Sequence, residues 1–208
     1  SHRTLVNRGA VRLADEESGA SHRRRIVVME VDSSDRSAEC LEHLDRPCEP
    51  GPNLFLHLDQ PHAASHATMI YIYDQSDLAR PLRFRQIVAH LEKRLVVSNM
   101  FRRRIVQAPL GLAYPYWADD ARFDIDFHVR HMACPKPGDW RQFQIMVARI
   151  HARQLDLTRP PWEMYVIEGL DNVAGVPKGS FAILTKMHHA AVDGTAAAEL
   201  TWALHDIE

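Results

Sequence analysis

Phe181-Ala182-Ile183-Leu184-Thr185-Lys186-Met187-His188-His189-Ala190-Ala191-Val192-Asp193-Gly194 is the stretch on which the reading of this chain turns. The apolar run Phe181 to Leu184 predicts a buried strand. Beyond the histidines, Thr195-Ala196-Ala197-Ala198-Glu199-Leu200-Thr201-Trp202-Ala203-Leu204 is rich in helix formers, with apolar residues at helical spacing. His188 and His189 therefore fall where a strand hands over to a helix, and Gly194 supplies backbone freedom at that corner. A histidine carried at a strand end can meet a substrate while the sheet holds its backbone still.

The chemistry follows from the side chains. A neutral imidazole with an ordinary pKa near 6.5 accepts a proton from an alcohol or thiol around neutral pH. A base positioned for that task contributes roughly 10²–10⁴ in rate. Asp193, four positions after His189, either orients the ring directly or turns away and braces the corner through an arginine. The residues alone leave both arrangements open. Two satisfied core histidines at a strand end are the plain alternative, and Asp193-Gly194 in a strand-to-helix context weighs against it.

Composition sets the outer bounds. The 208 residues are 46% hydrophobic and 25% charged, which describes one globular domain or a large subdomain with a real core. A net charge of −2 gives no bulk reason to expect nucleic acid. No apolar run is long enough to span a bilayer, and the first thirty residues lack the apolar core of a signal peptide. Cys40, Cys48 and Cys134 form no disulfide framework and fit a reducing cytoplasm. Of the 25 Lys plus Arg residues 21 are arginine, a bias that points to a GC-rich bacterial genome.

Residues 1–50 read as a polar leader, partly disordered, in which Ile26-Val27-Val28-Met29 is a strand candidate. Cys40, His43 and Cys48 have a spacing that suits no common zinc site. The basic triplet Arg23-Arg24-Arg25 is a solvated run or a contact for anionic lipid head groups. From Gly51 onward the texture is that of a folded domain. Thr68 to Tyr73 predicts a strand. Pro81 is expected to open a helix whose Phe84, Ile87, Val88, Leu91 and Leu95 share one face. Phe101 to Val106 predicts a strand carrying Arg102-Arg103-Arg104, either a phosphate-binding run or braced and exposed arginines in alternation. The alternation of Phe127, Val129 and His131 predicts a half-buried strand that includes His128, with both histidines structural. Pro135-Lys136-Pro137-Gly138 is a turn, Asp139 an N-cap, and Trp140 opens a helix with Phe143, Met146, Val147 and Ile150 on one face. A strand is expected over Met164 to Glu168 and a loop over Asp171 to Gly179.

Four elements of this order carry a resemblance. Phe123-Asp124-Ile125-Asp126-Phe127-His128-Val129-Arg130, the Pro-x-Pro-Gly turn, Leu155-Asp156-x-x-Arg159-Pro160-Pro161-Trp162-Glu163 and His188-His189-x-x-x-Asp193-Gly194 follow one another as in the N-terminal half of the bacterial wax ester synthase/diacylglycerol acyltransferase family. The chain is similar to that family over roughly residues 51–208, with Pro161 where leucine is usual and Gly51 where the family's opening turn carries serine. The histidine motif itself is shared across the CoA-dependent acyltransferase superfamily.

The resemblance implies an α/β fold, a mixed sheet with packed helices forming a chloramphenicol-acetyltransferase-like half. It implies acyl transfer from acyl-CoA, a substrate and not a bound cofactor, to a fatty alcohol or diacylglycerol, without a metal. His189 would be the general base and His188 would support the site's shape or polarity. Asp193 and Gly194 would hold the corner, the aspartate generally pairing with an arginine. Because the family is built from two such halves, the second half, on this chain or another, is an expected partner, together with a peripheral membrane or lipid-droplet surface. Two other readings share the motif: a condensation domain fed by a carrier protein, and a non-catalytic lipid-surface half-domain.

Overall fold

A computed structural model of the chain describes residues 14–15, 26–32, 65–76, 78–95, 99–106 and 115–191. The expectations on Gly51 to Asp59, Cys40, His43, Cys48, Asp193, Gly194 and the helix after Gly194 lie outside the described residues.

Among the described residues, eight strands and three helices follow in order: β1 (Ala14–Asp15), β2 (Ile26–Asp32), β3 (His66–Tyr73), α1 (Phe84–Leu95), β4 (Arg103–Val106), β5 (Tyr116–Asp119), α2 (Ile125–His128), β6 (Val129–Ala133), α3 (Trp140–Ala152), β7 (Trp162–Glu168) and β8 (Phe181–His188). Six strands form one sheet in the order β1-β2-β3-β8-β7-β6, and β4 and β5 pair separately. Every pairing in the large sheet is antiparallel except β6 with β7, which α3 connects across one face. The fold is the mixed α/β arrangement expected.

β8 is central and all eight of its residues are buried. That position explains its near-continuous apolar sequence, since a strand covered on both faces has no solvent side to advertise. Alternate residues feed two cores. Phe181, Ile183 and Met187 join Tyr71, Met164 and Val166 under the Ile87, Val88, Leu91 and Leu95 stripe of α1. Ala182 and Leu184 join Ile70, Ile72, Tyr165 and Ile167 under the Phe143, Met146, Val147 and Ile150 stripe of α3. Both helical stripes are those the 3.6-residue period predicts.

Three local expectations need correction. Pro81 does not open α1, which starts at Phe84. Arg83 caps it instead, its N–H donating to Gln86 Oε1 at 2.9 Å while its carbonyl accepts from Gln86 and Ile87, a reciprocal cap of the Gln-at-N3 kind. The strand expected from Phe101 begins only at Arg103, after a 3₁₀ turn over Asn99–Arg102. Phe101 is buried, and its carbonyl accepts from Trp162 Nε1 at 2.9 Å, so its main chain serves the core instead of a ladder. His128 does not lie on a strand: residues 125–128 form one helical turn, begun by Asp124, whose carboxylate accepts from Asp126 N at 3.0 Å. The apolar alternation across Phe127 and Val129 mimics a strand, and the aspartate cap overrides it. Asp139 caps α3 as expected, accepting from Gln142 N at 2.8 Å.

Candidate active site

β8 delivers His188 as its last residue, and His189–Ala191 forms a 3₁₀ turn directly after it. The corner is fixed by main-chain bonds from both neighbouring strands. The His188 amide donates to the Pro161 carbonyl at 3.0 Å, just ahead of β7, and the His189 amide donates to the Ser65 carbonyl at 2.9 Å, just ahead of β3. Each histidine is thus held at a different edge of the central strand.

The two rings differ in environment. His188 is 1% exposed, whereas His189 is only partly buried as a residue, with its Nε2 atom turned inward and buried. The Ala190 amide donates to His188 Nδ1 at 3.1 Å. That atom therefore carries the lone pair, and the neutral ring holds its proton on Nε2.

On the α3 side of the sheet, polar residues gather around His188. His66 stands opposite His188 in the β3–β8 register, and Thr68 stands opposite Lys186. His66 Nε2 donates to the His151 carbonyl at 2.5 Å, and Thr68 Oγ1 bonds His151 Nδ1 at 2.9 Å. Lys186, fully buried, donates from Nζ to the Ile150 carbonyl at 3.0 Å and to the Arg153 carbonyl. Burial, followed by the Lys186 charge, lowers the His66 pKa to about 3, so His66 is neutral at physiological pH.

Glu163, beside Lys186 on β7, accepts from the Tyr165 hydroxyl at 2.5 Å and Arg153 Nη2 at 3.0 Å, and lies 3.3 Å from Arg130 Nη2. Burial alone would raise its carboxyl; the Tyr165 hydroxyl, Arg153 and Arg130 bring it below the ordinary value. These residues were missed by reading the sequence. The one signal was Lys186, a lone cation inside a strand otherwise made of buried residues.

On the opposite face, His128 is buried and stacks on Trp162 at 4.5 Å, its Nδ1–H donating to the Trp162 carbonyl at 2.8 Å. Burial pushes its pKa down. His131 pairs with Glu168 at 3.2 Å and stacks on Phe84. Arg103 pairs with Asp119 at the surface and Arg102, equally exposed, lies over the Phe123 ring. Among the described residues, no three His, Cys, Asp or Glu side chains cluster as a metal site would need. A cavity of about 950 Å³ opens beside Arg80, Phe84, His131 and Glu168. It lies toward the end of β7 away from the histidine corner, because Trp162, at the other end of β7, is the residue that pairs with Met187.

Comparison with known proteins places this arrangement. Residues 49–208 match the wax ester synthase/diacylglycerol acyltransferase catalytic domain. A probable diacylglycerol O-acyltransferase of Mycobacterium tuberculosis, tgs3, is 38% identical over 143 residues, 67% of this chain and 51% of the relative. A putative diacylglycerol O-acyltransferase of the same species is 35% identical over 153 residues, 74% of this chain and 31% of the relative. Among solved structures, the wax ester synthase/diacylglycerol acyltransferase from Marinobacter aquaeolei VT8 superposes with a TM-score of 0.61 at 29% identity, covering 75% of this chain and 37% of that one. The first condensation domain of the calcium-dependent antibiotic synthetase, at TM-score 0.56 and 16% identity, shares the fold. The chain thus spans about a third to a half of the length of these relatives. By the match over residues 49–208, the chain belongs to the wax ester synthase/diacylglycerol acyltransferase family.

Proposed function

We propose that this chain carries the histidine half of an O-acyltransferase that moves a long-chain acyl group from acyl-CoA to a hydroxyl. The acceptor is a fatty alcohol, giving a wax ester, or diacylglycerol, giving triacylglycerol. Residues 51–208 are the acyltransferase unit, and residues 1–50 are its leader, which contributes β1 and β2 to the edge of the same sheet. His189 is the general base: it takes the hydroxyl proton as that oxygen attacks the thioester carbonyl. When the tetrahedral intermediate collapses, the C–S bond breaks and the proton returns to the leaving CoA thiolate. His188 supports the ring pair, and Asp193 with Gly194 holds the corner.

The observation that carries this reading is the asymmetry of the two rings. His188 is buried with its Nδ1 lone pair already engaged by Ala190, which leaves it a donor, while His189, in the turn just past the strand's end, is the less buried of the two residues and keeps its Nε2 inside the protein. A base needs a lone pair and access to the substrate. The acceptor channel belongs to a complementary second half, in the same or a separate chain, and the water-insoluble products place the enzyme at a membrane or lipid-droplet surface. In this reading that association is peripheral; among the described residues no helix is long and apolar enough to cross a membrane.

The test is thiol release from palmitoyl-CoA, with hexadecanol or diacylglycerol as acceptor, by the protein together with its complementary half. Acceptor-dependent release should fall by roughly 10²–10⁴ in His189→Ala. Equal release from both proteins removes His189 from the mechanism. Lipid binding that survives with no transfer in either protein identifies a non-catalytic lipid-surface module instead.

A further inference from the structure

The C-terminal end of α3 is tied to the sheet at the place where the histidine corner begins. Two carbonyls of its last turn and that of its C-cap residue, Arg153, are engaged by two side chains. Lys186 Nζ takes Ile150 and Arg153, and His66 Nε2 takes His151. Those two side chains flank His188: Lys186 precedes it by two positions on the same face of β8, and His66 is its direct partner on β3. Thr68, opposite Lys186, closes the square by bonding His151 Nδ1 at 2.9 Å. A helix C-terminus leaves carbonyls without intrahelical partners and carries partial negative charge, for which a cation is the natural complement. Arg153 extends the tie: its carbonyl accepts from Lys186, and its guanidinium donates to Glu163 Oε2 at 3.0 Å.

We propose that Lys186 is a positioning residue for acyl transfer, clamping the end of α3 onto β8 and β3 so that the His188–His189 corner keeps its geometry. This rests on the reading of His189 as base. An ammonium taken wholly out of water is costly unless several acceptors surround it. A lysine needed only to fill space would leave that cost without a return, since methionine or leucine would pack there. Three consequences of the clamp are specific to Lys186. The His188 and His189 amides, which bond the Pro161 and Ser65 carbonyls, hold their places because β7, β8 and β3 are drawn together at this end. His188 keeps its ring over the Ala190 amide. The base stands still while substrates bind elsewhere, so loss of the clamp affects the chemical step and leaves binding in place.

The experiment compares the wild-type protein with Lys186→Met, Lys186→Arg and Thr68→Val by two independent readouts. Amide hydrogen exchange needs no activity. Exchange at residues 188–190 should rise about tenfold or more in Lys186→Met and less in Thr68→Val, while β4 and β5 stay at wild-type rates. Kinetics on the assay above, with His189→Ala as reference, should give a kcat lower by about tenfold at unchanged KM in Lys186→Met, and partial recovery in Lys186→Arg. Thr68→Val removes no buried charge and gives a folded test if Lys186→Met does not fold. Exchange that rises only over residues 150–153, or a wild-type corner in every folded variant, overturns the inference. A wild-type protein whose transfer ignores His189→Ala overturns the function instead, and the exchange data then still decide whether the clamp exists.

Discussion

Replacing Glu163 by glutamine should destabilise this fold at neutral pH and cease to do so in acid. The carboxylate is 5% exposed and receives the Tyr165 hydroxyl at 2.5 Å, Arg153 at 3.0 Å and an ion pair from Arg130 at 3.3 Å. Glutamine keeps the shape and one acceptor oxygen but turns an amide toward a guanidinium. Removing one partner of a fully buried ion pair costs about 3–5 kcal/mol. Here the Arg130 and Arg153 side chains are 31% and 52% exposed, so water recovers part of their solvation. A loss of about 2 kcal/mol follows, nearer the range of a single charge-assisted hydrogen bond. For a domain of this size that is a fall in Tm of roughly 4–8 °C. Burial opposes the charge, but the Tyr165, Arg153 and Arg130 contacts outweigh it and hold the folded pKa below the ordinary 4.5. The unfolded chain therefore binds the proton first as pH falls. The carboxylate's contribution is full above about pH 4.5 and is lost on descent through the lower folded value. Melting curves of wild type and Glu163→Gln should be separated at about pH 7 and draw together as the pH falls below about 4.5. Equal melting at pH 7, or a gap that persists unchanged in acid, refutes the argument.

Two further substitutions test the geometry directly. His188→Asn returns an oxygen near the position of Nδ1 for the Ala190 amide, so transfer activity should exceed that of His188→Ala by on the order of tenfold, whereas Asn at position 189 should be as inactive as Ala in the same thiol-release assay. Gly138→Ala should lower the urea midpoint more than Gly175→Ala: both glycines have positive φ, but a Cβ at Gly138 would meet the Gly169 carbonyl oxygen at 2.7 Å while one at Gly175 meets nothing within 4 Å. The strain at Gly138 is about 1–3 kcal/mol.

The legible parts of this fold were those in which one residue's environment repeats at a fixed period. Ile87, Val88, Leu91 and Leu95 announce the buried face of α1, and Phe143, Met146, Val147 and Ile150 that of α3, because a helix on a sheet must bury one stripe. β8 was legible from Phe181 to Leu184 and continued unseen through Thr185, Lys186 and His188, since polar residues end an apolar run on paper. In the sheet all three are buried, with α3 supplying an acceptor for Lys186, β3 one for Thr185, and the Ala190 amide engaging His188. That information is non-local: Lys186 reaches carbonyls more than thirty positions away, and no window along the chain contains both. The helical turn at Ile125–His128 was missed for the opposite reason, a local pattern that imitates a strand and is overruled by one aspartate cap.

The same non-locality explains why separate stretches of the sequence carry one function. The Arg-Pro-Pro-Trp segment and the histidine pair stand far apart along the chain, yet the carbonyl of Pro161 is the acceptor for the His188 amide, and Trp162 pairs with Met187 in the next rung. The tryptophan ring is the anchored part: it is 3% exposed, donates to Phe101 and stacks on His128. At position 161 only the carbonyl is used by the corner, and every residue has one. Proline there, where relatives of the family usually carry leucine, therefore keeps the bond that matters at this site. It gives up an N–H that the histidine strand does not use. By the same reasoning Trp162 tolerates little change, because both its ring and its main chain are committed in the rung two residues before His189.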